Sequence, residues 1–237
     1  MIGELLPATV AAVETTVDPA GATLFPEESA LLTRAVDKRK REFTTVRHCA
    51  RQAMAALGVP AAPILPGERR APIWPDGIAG SMTHTAGYRA AALARTSDIV
   101  SLGIDAEPHG PLPEGVLDTV SLPAERAWIA ASRAESPDVH WDRLLFCAKE
   151  AVYKTWFPLT LRWLGFEDAE IGVDVDAGAG AGGASGASGA SGAFHARILV
   201  EPGVSGDRVF HAFDGRWLVR DGFVLAAIAV PASHPPR

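Results

Sequence analysis

The sequence predicts an α+β fold built from two similar halves, and three observations predict it. A region of helical periodicity followed by strand-like runs occurs once before residue 108 and again after it. The turn-rich segment Pro108-His-Gly-Pro-Leu-Pro113 separates the two. At 237 residues, 48% hydrophobic and 21% charged, the chain holds enough apolar material for one large domain or two small ones, which excludes the disordered and fibrous classes for most of it. The expected division is an α+β half over 1–108 and a second over 109–237, and clefts between such halves commonly hold ligands.

The elements follow in order. Residues 8–17 mix apolar and β-branched side chains as a strand does. Pro26-Glu27-Glu28-Ser29 reads as a helix start with acids in its first turn. Leu31, Leu32, Val36, Phe43, Val46, Ala50, Ala53, Met54 and Leu57 then recur near helical spacing, in one helix or two, until Gly58 and Pro60 supply the stop. Prolines and glycines make 60–80 largely loop, and 78–82, 88–94 and 99–105 read as short strands. In the second half, helices are expected over 123–132 and from 141 to about 157, where Pro158 should end or kink the chain. Strands are expected at 171–175, 194–200, 209–213, 217–220 and 223–230, with Asp214-Gly215 and Asp221-Gly222 as hairpin turns. Residues 178–193 are Gly, Ala and Ser throughout, a composition that cannot bury enough apolar surface to offset ordering entropy. They are expected to be a flexible insertion between two strands with no catalytic role.

A formal net charge of -6 argues against a general nucleic-acid binder, which draws its affinity from neutralising phosphates. Cys49 and Cys147 are too few for a disulfide framework or a cysteine metal cage, so a reducing compartment is expected. The start Met1-Ile-Gly-Glu-Leu-Leu lacks the basic and apolar regions of a signal peptide, and no apolar run approaches the ~20 residues of a membrane span. These features place the expected location in the cytoplasm, away from membranes.

Two short segments carry the chemistry. Around Val100, Leu102 and Ile104 a strand's period of two puts Asp105 and Glu107 on one face, where a hard cation such as Mg²⁺ would relieve their repulsion. On a helix through Phe146-Cys-Ala-Lys-Glu-Ala-Val-Tyr-Lys154, Glu150 and Lys154 share one face, and Lys149 and Tyr153 another. Alone, this is a solvated salt-bridged stripe worth about 0.3 to 0.5 kcal/mol. Together with Asp105 and Glu107, Glu150 completes an oxygen-rich set, and the lysines suit phosphate. Ser81-Met-Thr-His84 ends a strand with polar groups, and His84 fits either a turn-bonded structural histidine or a phosphate donor. Lys38-Arg-Lys-Arg41 with Arg47 and Arg51 is either a solvated basic face or a clamp for a phosphate monoester, with Arg39 and Arg47 on about one face. Tyr153, Trp156, Phe157 and Trp163 fit both core and ligand wall. The chain has no Walker or dinucleotide glycine loop.

Gly103-Ile-Asp-Ala-Glu107 and the 146–154 segment resemble the paired signatures of the surfactin-type 4′-phosphopantetheinyl transferases. Residues 39–57, Trp74-Pro-Asp-Gly77, Gly80-Ser-Met-Thr-His84 and 156–168 are similar to its single-chain branch, related to enterobactin-synthetase activators, so the resemblance covers most of 25–175. It implies a pseudo-dimer of two α/β halves with coenzyme A between them. A serine hydroxyl of an apo acyl or peptidyl carrier protein would attack the pantetheine-side phosphate and release adenosine 3′,5′-bisphosphate. The resemblance further implies that Asp105, Glu107 and Glu150 hold Mg²⁺ or Mn²⁺. Glu150, directly or through a metal-bound water, takes the serine proton, and Lys154 and Lys149 stabilise the diphosphate or protonate the leaving group. It assigns Ser81, Thr83 and His84 to the coenzyme A phosphates and Arg39 and Arg47 to the 3′-phosphate. Pro66 stands where relatives often carry a lysine, with Arg69 or Arg70 as its replacement, and Tyr153 and Trp163 are expected as walls for the pantetheine arm. A monomer is expected, since both halves lie in one chain. Two other readings use some of the same residues: a Mg²⁺-dependent phosphohydrolase with water as nucleophile, and a partner-binding or nucleic-acid module using residues 38–51.

Overall fold

The computed structural model describes residues 1–176 and 189–232, and its architecture is α+β as expected. Strand β1 (Ala11–Thr15) leads to the short helix α1 (Pro26–Ala30) and the long α2 (Asp37–Ala56), so the first helical region is two helices joined by a turn. Strands β2 (Ile78–Thr85), β3 (Tyr88–Arg95) and β4 (Ile99–Pro108) follow, then helices α3 (Val116–Val120), α4 (Pro123–Glu135) and α5 (Trp141–Thr160). The remaining strands are β5 (Ala169–Val175), β6 (Ala190–Ile198), β7 (Gly203–Ser205), β8 (Arg208–Phe210), β9 (Ala212–Arg220) and β10 (Phe223–Pro231).

The strands form an antiparallel sheet of order β1-β3-β2, a second of order β4-β10-β9-β6-β5, and a β7-β8 ribbon. β4, placed in the first half by the sequence reading, pairs with β10 of the second. The hydrogen-bonded boundary between the sheets therefore falls in the turn at 96–98. Side chains bridge the gap: the Ile104 N–H donates to Ser81 Oγ (3.1 Å) and the Ala106 N–H to Thr83 Oγ1 (3.2 Å). Two hydroxyls of β2 thus satisfy β4 amides that no neighbouring strand serves.

Three apolar clusters hold the molecule. In the first half, Cys49, Ala50, Ala53 and Met54 of α2 pack on Ile78, Ala91 and Leu93. In the second, Leu144, Ala148, Ala151, Val152 and Trp156 of α5 cover Val224, Ala226 and Ile228 of β10 and Trp217 of β9. Between them, Tyr88, Ala90 and Ala92 of β3 meet Leu102, Ile104 and Ala106 of β4 and Leu225 of β10. β4 thereby gives its even-numbered side chains to the seam and turns Ser101, Gly103, Asp105 and Glu107 to its other face. On that face the Ser101 hydroxyl donates to the Thr155 carbonyl of α5 at 2.8 Å.

Several expectations are corrected. Asp214-Gly215 is not a turn but the interior of β9, where Gly215 pairs with Phe194 and Ile228. A Cβ at Gly215 would lie 2.2 Å from the Phe194 ring, so that glycine serves a close contact. Asp221 (φ 51°) and Gly222 (φ 80°) do form the β9–β10 hairpin, both left-handed as a type I′ turn demands. α5 passes through Pro158 to Thr160 and ends at Leu161, whose backbone is left-handed (φ 55°). So near the C-terminal end the proline removes one helical hydrogen bond without ending the helix. Of the 178–193 segment, 190–193 belong to β6 and pair with β5 and β9. The expectation of flexibility for 178–188 falls outside the described residues. No helix among the described residues is long and apolar enough to cross a membrane.

Candidate active site

A cavity of ≈ 840 Å³ opens between α2 and β2 on one side and α5 on the other. α2 contributes Arg39, Phe43 and Arg47, β2 contributes Ser81 and His84, and α5 contributes Glu150, Tyr153 and Lys154. The 66–74 segment roofs it, with Arg69 and Arg70 both left-handed (φ 49° and 66°). Arg69 lies 5.2 Å from the Trp163 ring centroid in a cation–π contact across the mouth. The cavity thus has a basic end, lined by Arg39, Arg47 and His84, and an acidic end, lined by Glu150 and Lys154, where Asp105 meets Lys154 but, like Glu107, is not among the lining residues.

At the acidic end the face sharing read from the sequence holds. Asp105 is buried on β4 and its Oδ1 accepts from Lys154 Nζ (2.6 Å) and Thr83 Oγ1 (3.1 Å). Lys154 also donates to the Ile104 carbonyl at 3.1 Å. Burial alone would pull its ammonium down, but the charge and hydrogen bond of Asp105, with the Glu150 charge, outweigh it and raise its pKa. Glu150 is held above the usual carboxylate range by burial and by Asp105, against Lys154. Burial and Asp105 likewise raise Glu107, although Arg143 Nη1 donates to its Oε2 at 3.0 Å.

This end is short of positive charge. Asp105 Oδ2 is buried with no hydrogen-bond partner among the described residues, beside two carboxylates whose ionisation costs extra, and a hard divalent cation suits that donor set. As arranged, Lys154 takes Asp105 Oδ1 and Arg143 takes Glu107. Among the described residues no three His, Cys, Asp or Glu side chains are gathered closely enough to hold a metal.

At the basic end Arg47 is buried, donating from Nε and Nη2 to the Ile64 carbonyl (3.1 and 2.9 Å) and standing 3.2 Å over the Phe43 ring centroid. Burial pulls its pKa down to about 10, against the charge of Glu28, 3.5 Å away. Arg39 is exposed and its Nη1 donates to His84 Nε2 at 2.7 Å.

Other predicted residues stand elsewhere. Lys149 is buried on another face of α5, where its Nζ meets Glu125 Oε2 (2.8 Å) and donates to the Phe166 carbonyl (2.6 Å). Its charge is already neutralised inside the fold. Thr83 lies under the site against Asp105, and the Ser81 hydroxyl, at the cavity, accepts from the Ile104 N–H of β4 and keeps its own O–H to donate. Trp163 is exposed at 59%, its ring 5.0 Å from that of Tyr153, whose own hydroxyl is buried without a partner among the described residues. Sequence reasoning missed Arg143, although its spacing of seven before Glu150 puts both on one face of α5. It also missed Glu42, three residues after Arg39 on α2.

The model of the 4′-phosphopantetheinyl transferase N-terminal domain matches residues 27–94, and that of the 4′-phosphopantetheinyl transferase superfamily matches 101–190. The chain is 53% identical over 235 residues to the 4′-phosphopantetheinyl transferase Svp of Streptomyces mobaraensis, covering 98% of this chain and 90% of that protein. It is 50% identical to the 4′-phosphopantetheinyl transferase PptT of Mycobacterium tuberculosis, covering 97% and 98%. Enterobactin synthase component D of Salmonella typhimurium is 33% identical over 84% of this chain and 75% of its own length.

Proposed function

Because the chain belongs to the 4′-phosphopantetheinyl transferases, we propose that it is a single-chain, surfactin-type member whose cavity binds coenzyme A. From there it transfers phosphopantetheine to a serine of apo acyl and peptidyl carrier proteins. The observation that carries this reading is the two-ended cavity, with Arg39, Arg47 and His84 on one wall and Glu150 and Lys154 on another. Its volume of ≈ 840 Å³ lies within the range of small-molecule and cofactor sites.

In this reading the 3′-phosphate lies against Arg39 and Arg47 and the diphosphate against Lys154. Arg47 is fixed by its two bonds to Ile64, so its charge is in place before the ligand arrives. The serine oxygen bonds to the pantetheine-side phosphorus, the bridging oxygen leaves with adenosine 3′,5′-bisphosphate, and Glu150 takes the serine proton. A carboxylate raised toward neutrality is the stronger base for that step. Lys154, whose raised pKa keeps it an ammonium, donates to the oxygen on which charge develops. Asp105, Glu107 and Glu150 are not gathered closely enough for a metal as they stand, and once drawn together they would hold a divalent cation, Mg²⁺ or Mn²⁺, which supplies charge neutralisation to the diphosphate. Lys149 holds Glu125 and the shape of α5 and does not donate to phosphate.

Incubation with an apo carrier protein, coenzyme A and Mg²⁺, followed by intact-protein mass measurement, tests the proposal. A gain of one phosphopantetheine on the carrier is expected, abolished in Glu150→Gln and Asp105→Asn. Release of bisphosphate without any carrier would favour the phosphohydrolase instead.

A further inference from the structure

Glu42 of α2 is buried behind the cavity wall and is not among the cavity's lining residues. Its Oε2 stands 3.6 Å from His84 Nδ1, while on the far side of the ring Nε2 accepts from Arg39. A guanidinium can only donate, so Nε2 carries no proton and the neutral ring holds its proton on Nδ1, facing Glu42. Carboxylate, imidazole and guanidinium therefore form a line from the interior to the cavity. Lys38 Nζ, on the exposed side, reaches Glu42 Oε1 at 4.0 Å.

A phosphate changes what this line must do. Its oxygens accept, so His84 must donate from Nε2, and because the neutral Nε2–H tautomer would turn an unprotonated Nδ1 toward the Glu42 carboxylate, both ring nitrogens then carry protons. The charged groups facing the ring are Arg39 and Glu42 of α2, Arg89 of β3 and Lys154 of α5, three cations and one anion. Burial, with these cations, keeps the ring below its ordinary pKa and hence neutral near pH 7. An anion drawn to Arg39 reverses that balance, and Glu42 is placed to share the resulting charge.

We propose that Glu42 is a positioning residue that orients His84 and stabilises its imidazolium, so that binding of a coenzyme A phosphate draws a proton from solvent onto His84 Nε2. The inference rests on the coenzyme A reading above.

Calorimetric titration with coenzyme A near pH 7.5, in two buffers of different ionisation enthalpy, measures the proton directly. Uptake is expected for the wild type. Glu42→Gln should lose that uptake and bind roughly tenfold more weakly, the equivalent of one pKa unit. In carrier modification its KM for coenzyme A should rise while kcat is retained, and Glu42→Asp should recover part of the uptake. Equal uptake in wild type and Glu42→Gln, or none in the wild type, overturns the inference while coenzyme A binding itself stands. Failure of the wild type to bind coenzyme A overturns the functional reading and this inference with it. Should Glu42→Gln not fold, His84→Gln decides, because uptake retained there places the proton on another group and overturns the assignment.

Discussion

Gly103 fixes how near α5 can come to the strand that carries Asp105. A Cβ there would lie 2.0 Å from the Ala151 carbonyl oxygen and 2.2 Å from Thr155 Oγ1, a backbone contact that no rotamer change relieves. Gly103→Ala should push α5 off β4, cost about 3 kcal/mol or more, and separate Lys154 from Asp105. Thermal melting and carrier modification would both register it, and a variant with wild-type Tm would reject the close approach. The cysteines give a second check at this scale. Burial pushes the Cys49 thiol up to about 11 and raises Cys147 well above its ordinary value, so neither holds thiolate near pH 8. Iodoacetamide should leave both unmodified in the folded protein and label both in denaturant, as read by intact mass. Asp105, Glu107, Glu150 and Lys154 were legible because strand and helix periods alone decide which side chains share a face. The contacts of Thr83 with Asp105 and of Arg143 with Glu107 were not, because each crosses from one element to another.

At the scale of the element, α5 shows the limit of one-dimensional spacing. Lys149 is next to Glu150 in sequence but about 100° away around the helix, and what waits there is Glu125 of α4, fully buried and bonded to the Leu122 and Ile171 amides. Removing one partner of such a pair strands a buried charge. Lys149→Met should therefore lose about 3–5 kcal/mol of stability, whereas the Glu150→Gln protein should stay close to wild type in chemical denaturation. Lost transfer in Lys149→Met with unchanged stability would instead assign the lysine to the chemistry. Helices with clear apolar stripes, such as α2 and α5, were readable from sequence, as was the Asp221-Gly222 hairpin. β6 was readable from 194 on but not over 190–193, which are Ala, Ser and Gly and whose strand pairing comes from β5 and β9 on either side. Gly215 misled for the reverse reason, since a glycine required by the Phe194 ring looks the same in sequence as one required by a turn.

For the whole molecule, the decisive feature is that two sheets meet along β2 and β4 without a backbone ladder between them. The apolar seam of Leu102, Ile104 and Ala106 is closed at its edge by Ser81 and Thr83, each accepting a buried β4 amide. Ser81→Ala and Thr83→Val each leave such a donor unsatisfied, at about 1–3 kcal/mol apiece. Because the seam is also where the cavity's two ends are brought together, its loosening should show in cooperativity and not only in Tm. The double variant is expected to unfold calorimetrically in two transitions where the wild type shows one. On the proposed reading coenzyme A contacts both walls and so stabilises only the docked arrangement, by about 2.7 kcal/mol at a hundred times its Kd. Saturating ligand should therefore draw the two transitions of the double variant back together. A single transition in the unliganded double variant would mean that the apolar seam alone couples the halves, and that the two hydroxyls only satisfy the amides they touch.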